Sequence, residues 1–179
     1  MDVASAVDMP IVMYNIPPRT GNALAPATVR RLAQSAPNIV GVKDSSGNFD
    51  NMKQYIEQTA TLDREFSVLS GNDSLILPAL VFGGKGGIAG CANVFPRAMV
   101  KIYETWAAGD LEGAKRAQDD IRPFRNCFKY GNPNTIIKLA TKELGYPVGN
   151  CRKPFCQLSE EGMEQMRVAL QGCVSRGMC

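Results

Sequence analysis

Residues 39–48 read Ile-Val-Gly-Val-Lys-Asp-Ser-Ser-Gly-Asn. Four apolar residues run straight into a lysine and then into a polar turn that holds a glycine. A short stretch that is apolar at successive positions, instead of alternate ones, has both faces buried, as strands of a parallel sheet do. Three further runs of this kind are Ile11–Tyr14 (IVMY), Phe66–Leu69 (FSVL) and the glycine-rich Gly87–Gly90 (GIAG). The four starts lie 28, 27 and 21 residues apart.

Helical patterns fill the intervals. Leu24–Ser35 has Pro26 near its start and Val29, Leu32 and Ala33 along one face. Asn48–Thr59 has polar leading residues and then Phe49, Met52, Tyr55 and Ile56 at helical spacing. Asp73–Phe82 follows the capping residue Asn72 and stops at Gly83-Gly84. Pro96 opens a helix through Met99, Tyr103 and Trp106 that ends near Gly109. Strand and helix repeated four times predict an α/β fold with a parallel sheet.

A repeat of this length is the unit of a (β/α)₈ barrel, of which four units are half. Ala4–Val7 reads as the tail of a helix leading through Pro10 into the first strand. The sequence is therefore expected to be the second half of a larger (β/α)₈ TIM-barrel protein, with a small open α/β sheet as the alternative. Residues 1–109 are assigned to the half-barrel and residues 110–179 to a helical C-terminal region. That region carries helical patterns at Asp110–Tyr130, Asn134–Leu144 and Ser159–Gln171, and no strand signal follows Gly90.

Composition narrows the chemistry. The chain has 179 residues, 45% of them hydrophobic, enough for a real core. Twenty Lys and Arg against 17 Asp and Glu give a net charge of +3, so no nucleic-acid or acidic-membrane partner is expected. There is no histidine, which removes Ser-His-Asp triads, Cys-His pairs and most zinc sites. The six cysteines form no C-x-x-C pair and are read as buried, reduced thiols of a cytoplasmic protein, with a disulfide framework as the alternative. The N-terminus has no signal-peptide pattern, and the longest apolar stretch, Leu75–Phe82, is broken by Pro78 and falls far short of the roughly 20 residues that span a membrane.

Lys43 is the leading candidate for chemistry. It ends a buried parallel strand at its carboxyl end, where α/β enzymes place their sites. Alternation along the strand puts it on the face of Ile39 and Gly41, with Gly41 leaving space beneath it. An amine shielded from water there suits Schiff-base formation with a ketone or aldehyde; the alternative is a lysine reaching out to solvent. Tyr14 ends the first strand in the equivalent place, where a phenol can relay protons to a neighbouring adduct, or simply pack. Arg19 follows in a loop stiffened by Pro17 and Pro18, placed to pair with a substrate carboxylate or to sit free on the surface. Asp44–Asn48 and Ser70–Asp73, which includes Gly71, are strand-end loops that offer backbone N–H groups to anions or only cap helices. Gly83–Gly87 lacks the phosphate-loop pattern and precedes a strand, so it is read as a tight turn that leaves room at Gly87, Ala89 and Gly90.

Four motifs in order carry a resemblance: YNIPPRTG (Tyr14–Gly21), GVKDSSGN (Gly41–Asn48), LSGND (Leu69–Asp73) and GGKGGIAGCANVFP (Gly83–Pro96). Together with GNPNTIIKLATKELG (Gly131–Gly145), they make the chain resemble the dihydrodipicolinate synthase/N-acetylneuraminate lyase family over essentially its whole length. The resemblance implies a (β/α)₈ barrel, usually a cytoplasmic homotetramer, that acts on pyruvate or another 2-keto acid through a lysine Schiff base and needs no cofactor or metal. It assigns the Schiff base to Lys43 and the proton relay to Tyr14. It assigns contact with the keto-acid carboxylate to the main chain at Ile88; Gly71, in its strand-end loop, is expected to bind substrate as well. Arg19 matches the arginine that synthases of the family direct at the carboxylate of the second substrate. This favours 4-hydroxy-tetrahydrodipicolinate synthesis from pyruvate and aspartate semialdehyde, in lysine biosynthesis. Another 2-keto-acid aldolase or lyase of the family, or a non-catalytic truncated paralogue, is the alternative. The family's first four β/α units, with their G-T-T-G-E-type loop and second tyrosine, have no match in these residues, so this chain alone is expected to lack part of its carboxylate cradle and relay.

Overall fold

Strands at Ile11–Asn15 (β1), Ile39–Asp44 (β2), Ser67–Ser70 (β3) and Gly86–Gly87 (β4) pair in chain order, each parallel to the next. The computed structural model describes residues 1–155 and 157–179, in two units, Met1–Ile88 and Ala89–Cys179. In the first unit a short helix, Asp2–Ala6 (α1), precedes β1. The β1–β2 connection holds Pro17–Thr20 (α2) and Pro26–Ser35 (α3), and β2–β3 holds Phe49–Thr59 (α4). Between β3 and β4, a 3₁₀ turn at Asp73–Leu75 runs into Ile76–Val81 (α5). Sequential parallel strands joined through helices are the arrangement of half a (β/α)₈ barrel.

Local chemistry sets the boundaries. Pro26 occupies the first turn of α3, where its missing N–H costs nothing. Asn48 caps α4 by accepting from the Asn51 N–H at 3.2 Å. The far end of α3 is tied to the start of β2 by Arg64, whose Nη2 donates to the carbonyls of Ala33, Ala36 and Ile39 at 2.6, 3.2 and 2.8 Å; Ala33 lies in the last turn of the helix, where carbonyls lack an intrahelical donor. The expected stiff loop after Tyr14 is in fact the helix α2, closed by Gly21 at φ 71°, whose N–H reaches Pro17 O at 2.9 Å.

The core lies where the helices close over one face of the sheet. Val29 and Ala33 of α3, Met52 and Tyr55 of α4 and Ala79 of α5 pack with Ile39, Val42 and Val68. Burying a side chain of this kind contributes about 1.5–3 kcal/mol. The pairing of β1 with β2 slips once: Ile11 faces Ile39, but Val12 faces Gly41, so Val40 is an extra residue. Strict alternation along β2 therefore fails. Ile39 belongs to the helix-covered core beside Val42, not to the face of Lys43. Gly41 also leaves no open space: a Cβ there would sit 2.6 Å from the Ser67 carbonyl oxygen, so the glycine admits close approach of β3. Likewise the room expected at Gly87 is filled by Ile76, 2.6 Å from where its Cβ would be. The fourth strand is only Gly86–Gly87, because Gly90–Asn93 turns into a 3₁₀ helix.

Tyr55 is fully buried and its Oη donates to the Leu24 carbonyl. Burial pushes this phenol above its ordinary value, with the charge of Asp44 adding to the rise and a hydrogen bond with Asn51 opposing it. An unfolded tyrosine ionises near pH ~10, and the folded one only above that. The contribution of the protonated phenol to stability is thus complete below about pH 10 and is lost as the pH rises toward the folded value. Urea midpoints between about pH 8 and 11 should fall more steeply for this chain than for Tyr55→Phe; parallel curves would refute the assignment.

Among the described residues, the second unit is helical. After Gly90–Asn93 come Pro96–Ala107 (α6), Leu111–Asp120 (α7), Arg122–Arg125 (α8), Pro133–Glu143 (α9) and Glu160–Ser175 (α10). The single helix expected over Asp110–Tyr130 is divided into α7, α8 and a 3₁₀ turn at Asn126–Tyr130, because Pro123 removes a donor from the ladder. Asp110, Asn132 and Ser159 cap α7, α9 and α10 with their side-chain oxygens. Phe95 and Phe124 meet edge to face at 5.0 Å in the core of this unit. Cys127, Cys151, Cys173 and Cys179 are free thiols, and Cys91, Cys127 and Cys173 are buried; Cys156 lies outside the described residues. No described helix is long and apolar enough to cross a membrane.

Candidate active site

The strand registers assemble one row of residues at the carboxyl edge of the sheet. Tyr14 stands opposite Lys43, Lys43 opposite Leu69 and Leu69 opposite Gly86. One residue further on, Asn15, Asp44, Ser70 and Gly87 form the last row. The two residues that sequence reasoning selected for chemistry are thus neighbours on adjacent strands. Lys43 Nζ lies over the face of the Tyr14 ring, 4.2 Å from its centroid. Lys43 is half-buried, whereas Tyr14 is 49% exposed and open to a ligand.

Ser45 completes the group. Its Oγ donates to Tyr14 Oη at 3.3 Å, so the phenol keeps its own proton for donation elsewhere. Sequence reasoning did not single out Ser45, although it lies two residues past Lys43 inside the quoted turn, on the same side of the extended chain. Gly71 lies against both. A Cβ at that position would stand 1.9 Å from Ser45 Oγ and 2.9 Å from Lys43 Cε, so only glycine leaves these side chains where they are. The backbone of Gly71 is tied to the edge row, its N–H donating to Asp44 O at 2.7 Å.

The other two candidates stand apart from this cluster. Ile88 follows β4, and its N–H donates to Ser70 O at 2.8 Å, so its amide is taken up in holding the chain to β3. Arg19 lies on α2 and is exposed; no hydrogen bond or ion pair among the described residues joins its guanidinium to Tyr14, Lys43 or Gly71. No group of three or more metal-ligating side chains occurs among the described residues.

Behind the row, Asn15 and Asp44 are buried and hydrogen-bonded to each other at 2.7 Å. Neither was selected from the sequence, because 29 residues separate the partners and nothing local marks the pair.

Comparison with known proteins gives the arrangement its context. The model of the dihydrodipicolinate synthetase family matches residues 1–173. The 4-hydroxy-tetrahydrodipicolinate synthase of Methanoculleus marisnigri is 42% identical over 164 residues, which are 92% of this chain and 55% of that protein. Among solved structures, YagE, an E. coli K12 prophage protein of the dihydrodipicolinic acid synthase family in complex with pyruvate, superposes with a TM-score of 0.91 at 29% identity, covering 99% of this chain and 59% of YagE. A dihydrodipicolinate synthase variant described as monomeric gives 0.91 at 28% identity, over 99% of this chain and 58% of that one. The chain thus spans somewhat more than half the length of the relatives it matches. Its parallel sheet is the second half of a (β/α)₈ barrel with helices following, and the chain belongs to the dihydrodipicolinate synthetase family.

Proposed function

We propose that this chain carries the Schiff-base half of a pyruvate-dependent synthase, with residues 1–109 as the second half of the barrel and residues 110–179 as its helical C-terminal region. The observation that carries the reading is Lys43 Nζ held 4.2 Å from the Tyr14 ring at the carboxyl ends of paired strands. In this reading the Lys43 amine attacks the keto carbon of pyruvate. The carbinolamine formed loses water, with the Tyr14 phenol donating a proton to the departing oxygen, to give an iminium. Loss of a methyl proton gives the enamine, whose carbon attacks the carbonyl of an aldehyde. A nucleophile that adds to the iminium carbon of the adduct, water or an amine carried by the aldehyde, then displaces Lys43 and restores its amine.

The favoured aldehyde is aspartate semialdehyde, whose own amine attacks that iminium carbon, expels Lys43 and closes the ring of 4-hydroxy-tetrahydrodipicolinate, with the water lost at the carbinolamine as the only water released. Two considerations support this choice: relatives about 40% identical are named for that synthesis, and Arg19 supplies a guanidinium suited to a carboxylate. A homo-oligomer working in the cytoplasm fits the same reading.

The test is borohydride reduction of the 179-residue chain with pyruvate, followed by peptide mapping. A reduced pyruvyl group on Lys43 is the expected result. A folded chain that traps no pyruvate, or traps it on exposed lysines without preference, would overturn the assignment.

A further inference from the structure

Asn15 and Asp44 lie one residue beyond Tyr14 and Lys43 on the same two strands, and alternation turns them to the opposite face. They are 2% and 0% exposed. Asn15 Nδ2 donates to Asp44 Oδ1 at 2.7 Å. The same carboxyl group accepts the Ser46 N–H at 3.1 Å and the Ser46 hydroxyl at 2.9 Å. Asn15 Oδ1 in turn accepts the Leu24 N–H at 3.0 Å, and the Leu24 carbonyl accepts the Tyr55 phenol. Between the strands, the Ser45 N–H donates to Asn15 O at 2.8 Å. One amide that both gives and receives is paired with one carboxyl group that only receives, so donor meets acceptor at every link in this chain of bonds. A buried network of this kind fixes a single geometry only when it is complete.

We propose that Asn15 and Asp44 are positioning residues, which clamp the ends of β1 and β2 so that the Tyr14 ring lies under Lys43 Nζ. The proposal rests on the Schiff-base reading for its meaning in catalysis, but not for its test. Neither side chain reaches the reacting face; each acts through the neighbour it follows in sequence. A slip of about 1 Å between nucleophile and relay is enough to cost about a hundredfold in rate.

The polarity of the clamp offers a sharp test. Asn15→Asp sets one carboxyl group against another and removes the donor. Adding Asp44→Asn restores one bond between the two positions, Asn at 44 donating to Asp at 15, which still accepts from Leu24, while the Ser46 N–H, which shares Asp44 Oδ1 with Asn15, gives up that acceptor. Two signals are read on the full chain: the ring-current shift of the Lys43 ε-methylene protons above the Tyr14 ring, and the rate of pyruvate trapping. Asn15→Asp is expected to abolish the shift and slow trapping roughly tenfold to a hundredfold. The reversed pair is expected to regain part of the shift and to trap pyruvate at least about threefold faster than Asn15→Asp alone. An Asn15→Asp chain that keeps the shift, or a folded reversed pair that regains none of it, would overturn the proposal. If Asn15→Asp does not fold, the reversed pair decides alone. A wild-type chain that shows the shift and traps no pyruvate would sink the Schiff-base reading and leave the clamp standing.

Discussion

Lys43→Ala is expected to reduce pyruvate trapping by roughly a thousandfold or more, because the substitution removes the nucleophile and no neighbouring group replaces it. Stability should change little. The half-buried lysine gives up a cation–ring contact of about 0.5–2 kcal/mol. Lys43→Arg sharpens the result. The guanidinium keeps a positive charge near the ring, yet it is not a nucleophile and its planar shape differs from an ammonium group. Both variants should therefore fail alike in trapping, read by intact mass after borohydride reduction. Trapping that persists in either variant at the wild-type rate would place the chemistry elsewhere.

Gly71→Ala is the second substitution with a large expected effect. Its backbone is not in the left-handed region, so alanine brings no conformational strain. The added methyl group instead meets Ser45 Oγ at 1.9 Å and Lys43 Cε at 2.9 Å. The serine hydroxyl can rotate away, which breaks its bond to the Tyr14 phenol; Lys43 must then shift from its place over the ring. The expected result is a tenfold to hundredfold fall in trapping rate, with a loss of about 1–2 kcal/mol in urea unfolding. Unchanged trapping by a folded variant would show that Gly71 does not shape the site. Gly41 makes the contrast plain. The obstacle to a side chain there is the Ser67 backbone, which cannot turn aside, so its glycine serves the sheet and not the chemistry.

Much of this was legible in the sequence because buried parallel strands announce themselves as unbroken apolar runs. Ile11–Tyr14 and Ile39–Lys43 fell within one residue of β1 and β2, and Tyr14 and Lys43 were placed at the correct ends. What could not be read was set by the neighbours of each strand. The extra residue at Val40 exists only in the pairing with β1, so counting by twos put Ile39 on the wrong face. The Gly87–Gly90 run was apolar enough for a strand, but its chain curls after two paired residues. The space expected at Gly87 depended on Ile76, which reaches it from a helix. Asn15 and Asp44 look like ordinary turn residues until the fold brings them together.

The bonds just beyond the last strand row have a dynamic consequence. Strand-end loops usually fray and exchange their amide protons quickly. Here the amides of Ser45, Gly71 and Ile88 each donate across to the neighbouring segment at 2.7–2.8 Å. These protons should be among the slow exchangers of the sheet, while the exposed α2 that carries Arg19 exchanges fast. A ligand arriving at this edge therefore meets a lysine and a phenol whose motional entropy is already spent, and an arginine that keeps its freedom to settle last. Rigidity is concentrated where a bond would form, and adaptability where a second carboxylate would be chosen.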